Sequence, residues 1–300
     1  MRAFHVVSTR PRTTYYLDRS ADFNYQQADF EVLTIVLSAL EWRRHNGPVR
    51  LFTDLVGHVF YDQLGLLDVW DDGVDTDCLE QFTGSVNAAV FWSFGKILAL
   101  RQAEAPCCLL DTDLIVWQKP GRLITAEVMS LHEEPLSFDA YVDRQQLVAA
   151  PGFDWSGLDW TVPPCSAALL VFAQDTFKNE YADRALSFMQ DNPIRSEPGA
   201  GLPAHPLFVE QRLLPMCARA AGVRIDTFLR DHSGTELPSG GPNAIFTHLW
   251  NAKTVLHHNP QRRIALCQML AHRLRRDHPE TAAQLARTQL LAPYFTKPPP

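Results

Sequence analysis

Pro106-Cys107-Cys108-Leu109-Leu110-Asp111-Thr112-Asp113-Leu114-Ile115-Val116-Trp117 decides the reading of this 300-residue chain. Cys107 to Leu110 is an unbroken apolar run, long enough for a strand buried on both faces, and it ends in two acids spaced i, i+2. If the strand stays extended through Thr112, Asp111 and Asp113 point to one side at the carboxyl edge of a sheet, where open α/β folds bind ligands. Two carboxylates brought together repel unless a cation separates them. A hard divalent ion, Mn²⁺ or Mg²⁺, accepts such oxygens and completes its shell with water and substrate phosphates. The plainer alternative is a strand end whose acids cap the next turn.

The same tripeptide recurs at Asp75-Thr76-Asp77. That copy follows Asp68, Asp71, Asp72 and Gly73 with no apolar strand feeding it, and it reads as a solvated acidic loop.

Working outward, residues 4–8 form a short β-branched run that suits a first strand, with Ser8 at the ligand edge. Apolar residues at 30, 33, 36, 37 and 40 predict a helix over 30–45, stopped by Asn46-Gly47-Pro48. A second strand at 49–52 leads into Thr53-Asp54, a helix follows over 56–64, and residues 68–70 read as a third short strand. A helix over 91–104 carries Lys96 and delivers the chain to Pro106. This alternation predicts a mostly parallel sheet flanked by helices.

Beyond Trp117, residues 138–164 are rich in Trp, Gly, Pro and Asp without periodicity, the mark of a functional loop. Strands are expected at 167–172, 223–228 and 244–248, helices at 176–189 and 208–221, and a turn at 239–242. The helix at 208–221 runs despite Pro215 and has Glu210-Gln211 near its start. His132-Glu133-Glu134 lacks metal spacing and reads as surface; Trp155 and Trp160 in the loop are core or rim rings able to stack on a sugar, and Trp92 and Trp250 are core or rim rings. Two helices broken at Pro279 end the chain, with an apolar stripe (Ile264, Leu266, Cys267, Leu270, Leu274) beside Arg262, Arg263, Arg273, Arg275 and Arg276.

A net charge of −7 argues against nucleic-acid binding. Six cysteines without a Cys-x-x-Cys pair read as reduced, structural thiols. No stretch approaches the roughly 20 apolar residues of a membrane span and the start lacks a signal-peptide run, so a cytoplasmic location is expected. The basic C-terminal helix adds a peripheral contact with the inner membrane surface as a rival to simple packing on the core.

Expelling a diphosphate from a nucleotide-linked substrate calls for a metal and cationic side chains, which Asp111, Asp113, Lys96 and Lys253 can provide. Ser8 and Asp54 are candidates for a nucleoside pocket, and Glu210 or Gln211 for sugar hydroxyls. In order, the helix with Lys96, Leu-Leu-Asp-Thr-Asp-Leu-Ile-Val, Cys-Ser-Ala-Ala-Leu-Leu-Val-Phe, Phe-Val-Glu-Gln-Arg-Leu-Leu and Phe-Thr-His-Leu-Trp-Asn-Ala-Lys resemble the metal-dependent glycosyltransferases of the GT-A fold, in particular glycogenin-like and bacterial lipopolysaccharide glycosyltransferases. The resemblance implies an Asp-x-Asp site for Mn²⁺ (or Mg²⁺) formed by Asp111, Asp113 and His248, with Lys253 on the diphosphate. It likens Lys96 to the family's basic residue on the helix before the metal strand and Glu210-Gln211 to its acid-amide pair. It further implies a UDP-sugar donor, a saccharide, lipid-linked or protein acceptor, and retention of configuration. The division that the resemblance implies is a catalytic domain at 1–260, with a Rossmann-like nucleotide-sugar-binding half at 1–117 and an acceptor half at 118–260, then a C-terminal helical extension at 261–300.

Two other readings stand beside this one. The first is a nucleotide-sugar-binding protein of the same fold without turnover. The second is a haloacid-dehalogenase-type phosphatase with Asp111 as nucleophile.

Overall fold

In the computed structural model, which describes residues 1–11, 25–195, 203–230, 245–250 and 252–295, the strands are β1 (Arg2–Val7), β2 (Val49–Thr53), β3 (Val74–Asp75), β4 (Cys107–Leu110), β5 (Leu114–Val116), β6 (Val128–Ser130), β7 (Leu169–Phe172), β8 (Ile225–Thr227) and β9 (Phe246–His248). The main sheet has the order β3-β2-β1-β4-β7-β6-β8, and β5 pairs with β9 in a second, two-stranded sheet. Within the main sheet β7 alone is reversed, antiparallel to β4 and to β6; its other pairings are parallel. Phe4 lies opposite Leu109 and Val7 opposite Thr53, so β1, β2 and β4 end at one edge.

Helices cover both faces, and β4 shows why its run is apolar throughout. Cys108 and Leu110 join the core with helix α1 (Asp29–His45), while Cys107 and Leu109 join the opposite core. Successive residues of a strand point to opposite faces, so a strand covered on both sides needs no polar position. Between β2 and β4 come α2 (Leu55–Gln63), the short α3 (Asp77–Glu80) and α4 (Phe94–Gln102). After β7 come α5 (Asp175–Met189), α6 (Ala204–Leu207), a π-helical turn (Phe208–Arg212) and α7 (Leu213–Ala221). The chain finishes with α8 (Ala252–His258), α9 (Pro260–Asp277), α10 (Pro279–Leu285) and α11 (Ala292–Phe295). The turn expected at 239–242 lies outside the described residues.

The third strand is not at 68–70. Leu67–Val69 is a 3₁₀ turn, and β3 forms at Val74–Asp75, inside the stretch expected to be a solvated acidic loop. The acids there are engaged with the sheet edge. Asp71 accepts from the Val49 N–H at 2.9 Å, and Asp72 pairs with Arg2 at 3.0 Å and Arg50 at 3.3 Å. Gly73, at φ 88°, turns the chain so that Val74 pairs beside Leu51.

The C-terminal stripe is packed rather than free. Leu266, Cys267, Leu270 and Leu274 enter the α1 core, and of the stripe only Ile264 stays open to solvent. Arg273 lies over the Trp117 ring at 4.3 Å, and Arg276 pairs with Asp277 at 2.8 Å. The stripe is thus not available to a membrane surface, and no helix among the described residues is long and apolar enough to cross one.

Asp29, at the start of α1, pins this extension. It accepts from Arg263 at 2.6 Å and from the Tyr294 hydroxyl. Burial would raise its pKa, but the hydrogen bonds from Arg263, Tyr294 and the Phe30 N–H outweigh it and hold the carboxyl below its usual value. A depressed carboxylate stabilises the fold above its unfolded pKa, near 3.9, and loses that contribution as pH falls through the folded value. Asp29→Asn should therefore cost about 2 kcal/mol at pH 7, with the gap from wild type narrowing toward pH 3 in denaturant melts. An equal gap at both pH values would deny the anchor its charge.

Candidate metal centre

The acids of the central motif converge by a different route from the one expected of an extended strand. β4 stops at Leu110, and the Leu114 N–H donates to the Asp111 carbonyl at 3.1 Å, closing a turn over Thr112 and Asp113. The Asp111 N–H is fastened to the Ala168 carbonyl at 2.8 Å. The chain then leaves the main sheet as β5 and pairs with β9 in a register that sets Leu114 opposite His248. The Leu249 N–H closes the junction on the Asp113 carbonyl at 3.1 Å. Ligand atoms of Asp111, Asp113 and His248 consequently lie within 4.8 Å of one another.

The turn is braced from inside. The Trp70 indole donates to His5 Nδ1 at 3.2 Å, so the His5 proton sits on Nε2, 3.0 Å from the Ser38 hydroxyl. Ser38 in turn donates to the Leu114 carbonyl at 2.5 Å. Burial drives the His5 pKa down to about 3, so the chain of hydrogen bonds stays in one charge state through neutral pH.

Cationic groups come from two other elements. Gly95 lets α4 close on the end of β1, since a Cβ there would stand 3.1 Å from the Ser8 Cβ. The next residue, Lys96, places its ammonium directly against both Asp111 and Glu210. On the other side Lys253 of α8 lies 2.8 Å from Asp113 Oδ2, and His248 Nε2 lies 3.6 Å from Asp113 Oδ1. Burial opposes the charge on Lys96, yet Asp111 and Glu210 overcome it and raise its pKa well above the ordinary lysine value. Burial likewise opposes ionisation of Asp113, but Lys253 and His248 hold its pKa far below the carboxylate range. For Glu210 burial prevails and the pKa rises, with Lys96 acting against it.

This donor set suits a hard divalent ion. Asp111 Oδ1 and Asp113 Oδ2 are sealed from solvent without a well-formed hydrogen bond, and their neighbours are ammonium groups in ionic contact only. Two carboxylates and an imidazole then leave room for further oxygen ligands. Asp75 of the other Asp-Thr-Asp accepts from the Cys78 N–H at 3.0 Å and from Gln102 at 3.1 Å, and it joins no such cluster among the described residues.

A cavity of about 270 Å³ opens beside the acids, with Ser8, Lys96, Asp113 and Lys253 in its wall. Asp54 is not in that wall. Its carboxylate is committed to the Thr9 N–H at 2.6 Å, the Thr9 hydroxyl at 2.9 Å and the Gly57 N–H at 2.9 Å, tying the exit of β1 to the start of α2.

Glu210 reaches the acids from the π-helical turn, while Gln211 faces the irregular segment and accepts from the Tyr141 hydroxyl at 2.5 Å. That segment is an excursion with a closed stem: the Ser166 N–H donates to the His132 carbonyl at 2.9 Å and the Glu134 N–H to the Pro164 carbonyl at 2.9 Å. His132 is therefore buried, not a surface residue. Buried Arg212 donates to the carbonyls of Tyr141 and Trp160, each at 3.0 Å. Pro215, having no N–H, leaves the Gln211 carbonyl free in the helix, and the Cys165 N–H takes it at 3.0 Å. Trp155 and Trp160 pack on Phe208, each at 5.8 Å between ring centres. The sequence offered no signal for Tyr141, which lies in an aperiodic stretch; Trp92, expected as a core or rim ring, stands exposed in the cavity wall.

A family of unknown function, DUF6734, matches residues 14–151, a span containing Lys96, Asp111 and Asp113. No curated protein matches the sequence. Among solved structures, the chain is similar to the galactosyltransferase LgtC in complex with donor and acceptor sugar analogues, at 8% identity over 83% of this chain and 86% of that one, with a TM-score of 0.40. A Gln-to-Glu active-site mutant of LgtC is matched at 11% identity over 70% of each chain, with a TM-score of 0.33.

His248→Ala should lower Mn²⁺ affinity by at least about tenfold in a titration followed by electron paramagnetic resonance. Lys253→Ala should not lower it, because that ammonium competes with the ion for Asp113. Asp113→Asn should abolish binding and Asp77→Asn leave it intact; equal effects of these last two would dissolve the distinction between the two Asp-Thr-Asp copies.

Proposed function

We propose that the chain is a metal-dependent glycosyltransferase of the GT-A type, transferring a sugar with retention from a UDP-sugar to a saccharide, lipid-linked or protein acceptor. The supporting observation is the convergence of Asp111, Asp113 and His248 with two lysines at a strand edge, beside a cavity fed by the end of β1. Asp111, Asp113 and His248 would hold Mn²⁺ or Mg²⁺, and the bound ion would supply Lewis-acid charge to phosphoryl oxygens.

The side chains of the chain itself do the rest. Lys96 and Lys253 give fixed positive charge where a diphosphate leaves; the Lys96 side chain is 20% exposed and its charge is the less screened, while the Lys253 side chain is 41% exposed. Ser8 offers its hydroxyl to the nucleoside part from the cavity wall. Glu210, held by Lys96, and Gln211, bonded to Tyr141, would supply an acid and an amide to the sugar from the π-helical turn. In this reading residues 1–117 carry the donor, residues 118–260 the acceptor, and 261–300 an extension that steadies α1.

A second reading, a nucleotide-sugar binder without turnover, draws on one observation: Glu210 is held by Lys96 and is not a free carboxylate. Labelled UDP-sugars incubated with Mn²⁺ separate the two, since slow hydrolysis requires turnover.

Calorimetry tests the shared premise. Phosphate oxygens complete the ion's shell and the ion removes phosphate repulsion, so UDP should bind about 5–150-fold more tightly with Mn²⁺ than with EDTA. The same UDP affinity in both buffers would refute the metal assignment.

A further inference from the structure

The two tryptophans most open to solvent in this chain stand in different places, one in the cavity wall beside the acids and one just after His248. Trp92 is 42% exposed and Trp250 43%, whereas the other five are buried or half-buried. Trp92 belongs to the cavity wall with Lys96 and Asp113. Trp250 lies outside that wall, in the turn between His248 and α8.

Trp250 begins a row of rings. Its ring centre lies 6.0 Å from that of Phe138, and Phe138 lies 5.6 Å from Tyr141, whose hydroxyl donates to Gln211. The row therefore leads from a residue two places after His248 to the amide next to Glu210. It is apolar along its length and polar at its far end, where the Gln211 amide N–H groups remain unspent by the Tyr141 bond. The tryptophans of the excursion are used otherwise: Arg144 covers Trp155 and Arg212 covers Trp160, each at 5.0 Å, with Phe208 packed on both rings.

A rigid indole left in water forgoes burial, and exposed aromatic surface at a cleft marks recognition. A pyranose ring has the complementary form, with a flat face of C–H groups and hydroxyls around its edge. We propose that Trp250, backed by Phe138, is the platform on which the acceptor's sugar ring stacks, with the Gln211 amide, oriented by buried Tyr141, meeting the hydroxyls at its far edge. This rests on the glycosyltransferase reading and narrows it to an acceptor that ends in a carbohydrate rather than in a peptide or a lipid.

The test uses the full chain with UDP and Mn²⁺ present and a panel of methyl pyranosides (glucoside, galactoside, mannoside, N-acetylglucosaminide) as probes. Saturation-transfer NMR and titrations are run on wild type, Trp250→Ala and Trp250→Phe. At least one pyranoside should bind wild type through its ring C–H protons, weaken by at least about tenfold in Trp250→Ala and be largely restored in Trp250→Phe. Sugar binding equal in wild type and Trp250→Ala would overturn the platform, and so would the absence of binding by every pyranoside while UDP still binds, the result expected of a peptide or lipid acceptor. UDP affinity, measured alongside, reports on the donor site separately: its absence in wild type would overturn the glycosyltransferase reading itself, and the platform with it.

Discussion

Two carboxylates held at the end of one buried strand repel each other, and much of the surrounding structure supplies the positive charge that keeps them there. At 4 Å and an effective dielectric near 20, such a repulsion is worth about 4 kcal/mol, a large fraction of the net stability of a domain. Lys96 comes from α4, His248 from the end of β9 and Lys253 from α8, so the positive charge is drawn from one helix before the motif and from one consecutive strand and helix far after it. Each arrives through a backbone arrangement that its own sequence requires: Gly95 for the close approach of α4, and the β5–β9 register for His248. The charge cluster is thus a consequence of tertiary packing as much as of the motif itself.

Burial sharpens the effect. Removing one member of such a cluster strands its partner in a poorly solvated place, which costs several kcal/mol in typical buried pairs. Under the proposed function a diphosphate with its counter-ion would enter without that cost, because it would bring negative charge to the lysines as the ion took over the carboxylates. The geometry that holds the cluster together would then also suit an exchange of partners.

The central features were legible in the sequence because they follow from local rules. The apolar run 107–110 reads as a strand covered on both faces, and the helix stop at Asn46-Gly47-Pro48 coincides with the end of α1. What escaped depended on contacts across the chain. The run at 68–70 looked like a strand, yet Trp70 is turned inward to His5 and the pairing passes to Val74 after Gly73. Asp54 looked like a ligand group at a strand end, but its carboxylate is consumed by Thr9 and Gly57. The extended geometry assumed for Asp111 and Asp113 is replaced by a turn, because β5 finds its partner in a strand more than a hundred residues later. Tyr141 carried no periodic or motif signal, and Trp250, although inside the quoted segment around His248, read only as a core or rim ring, since the significance of both lies in what they stand beside.

The missing amide of Pro215 has a mechanical meaning. In an ordinary helix the Gln211 carbonyl would be taken up internally, and the excursion at 135–163 would hang from its own stem. Here Cys165, at the root of that stem, is bonded to the helix one residue away from Glu210, while Arg212 grips the excursion at two carbonyls further out. The loop and the acid are in effect a single lever. A displacement of the excursion would therefore pull directly on the turn of helix that carries the carboxylate facing Lys96.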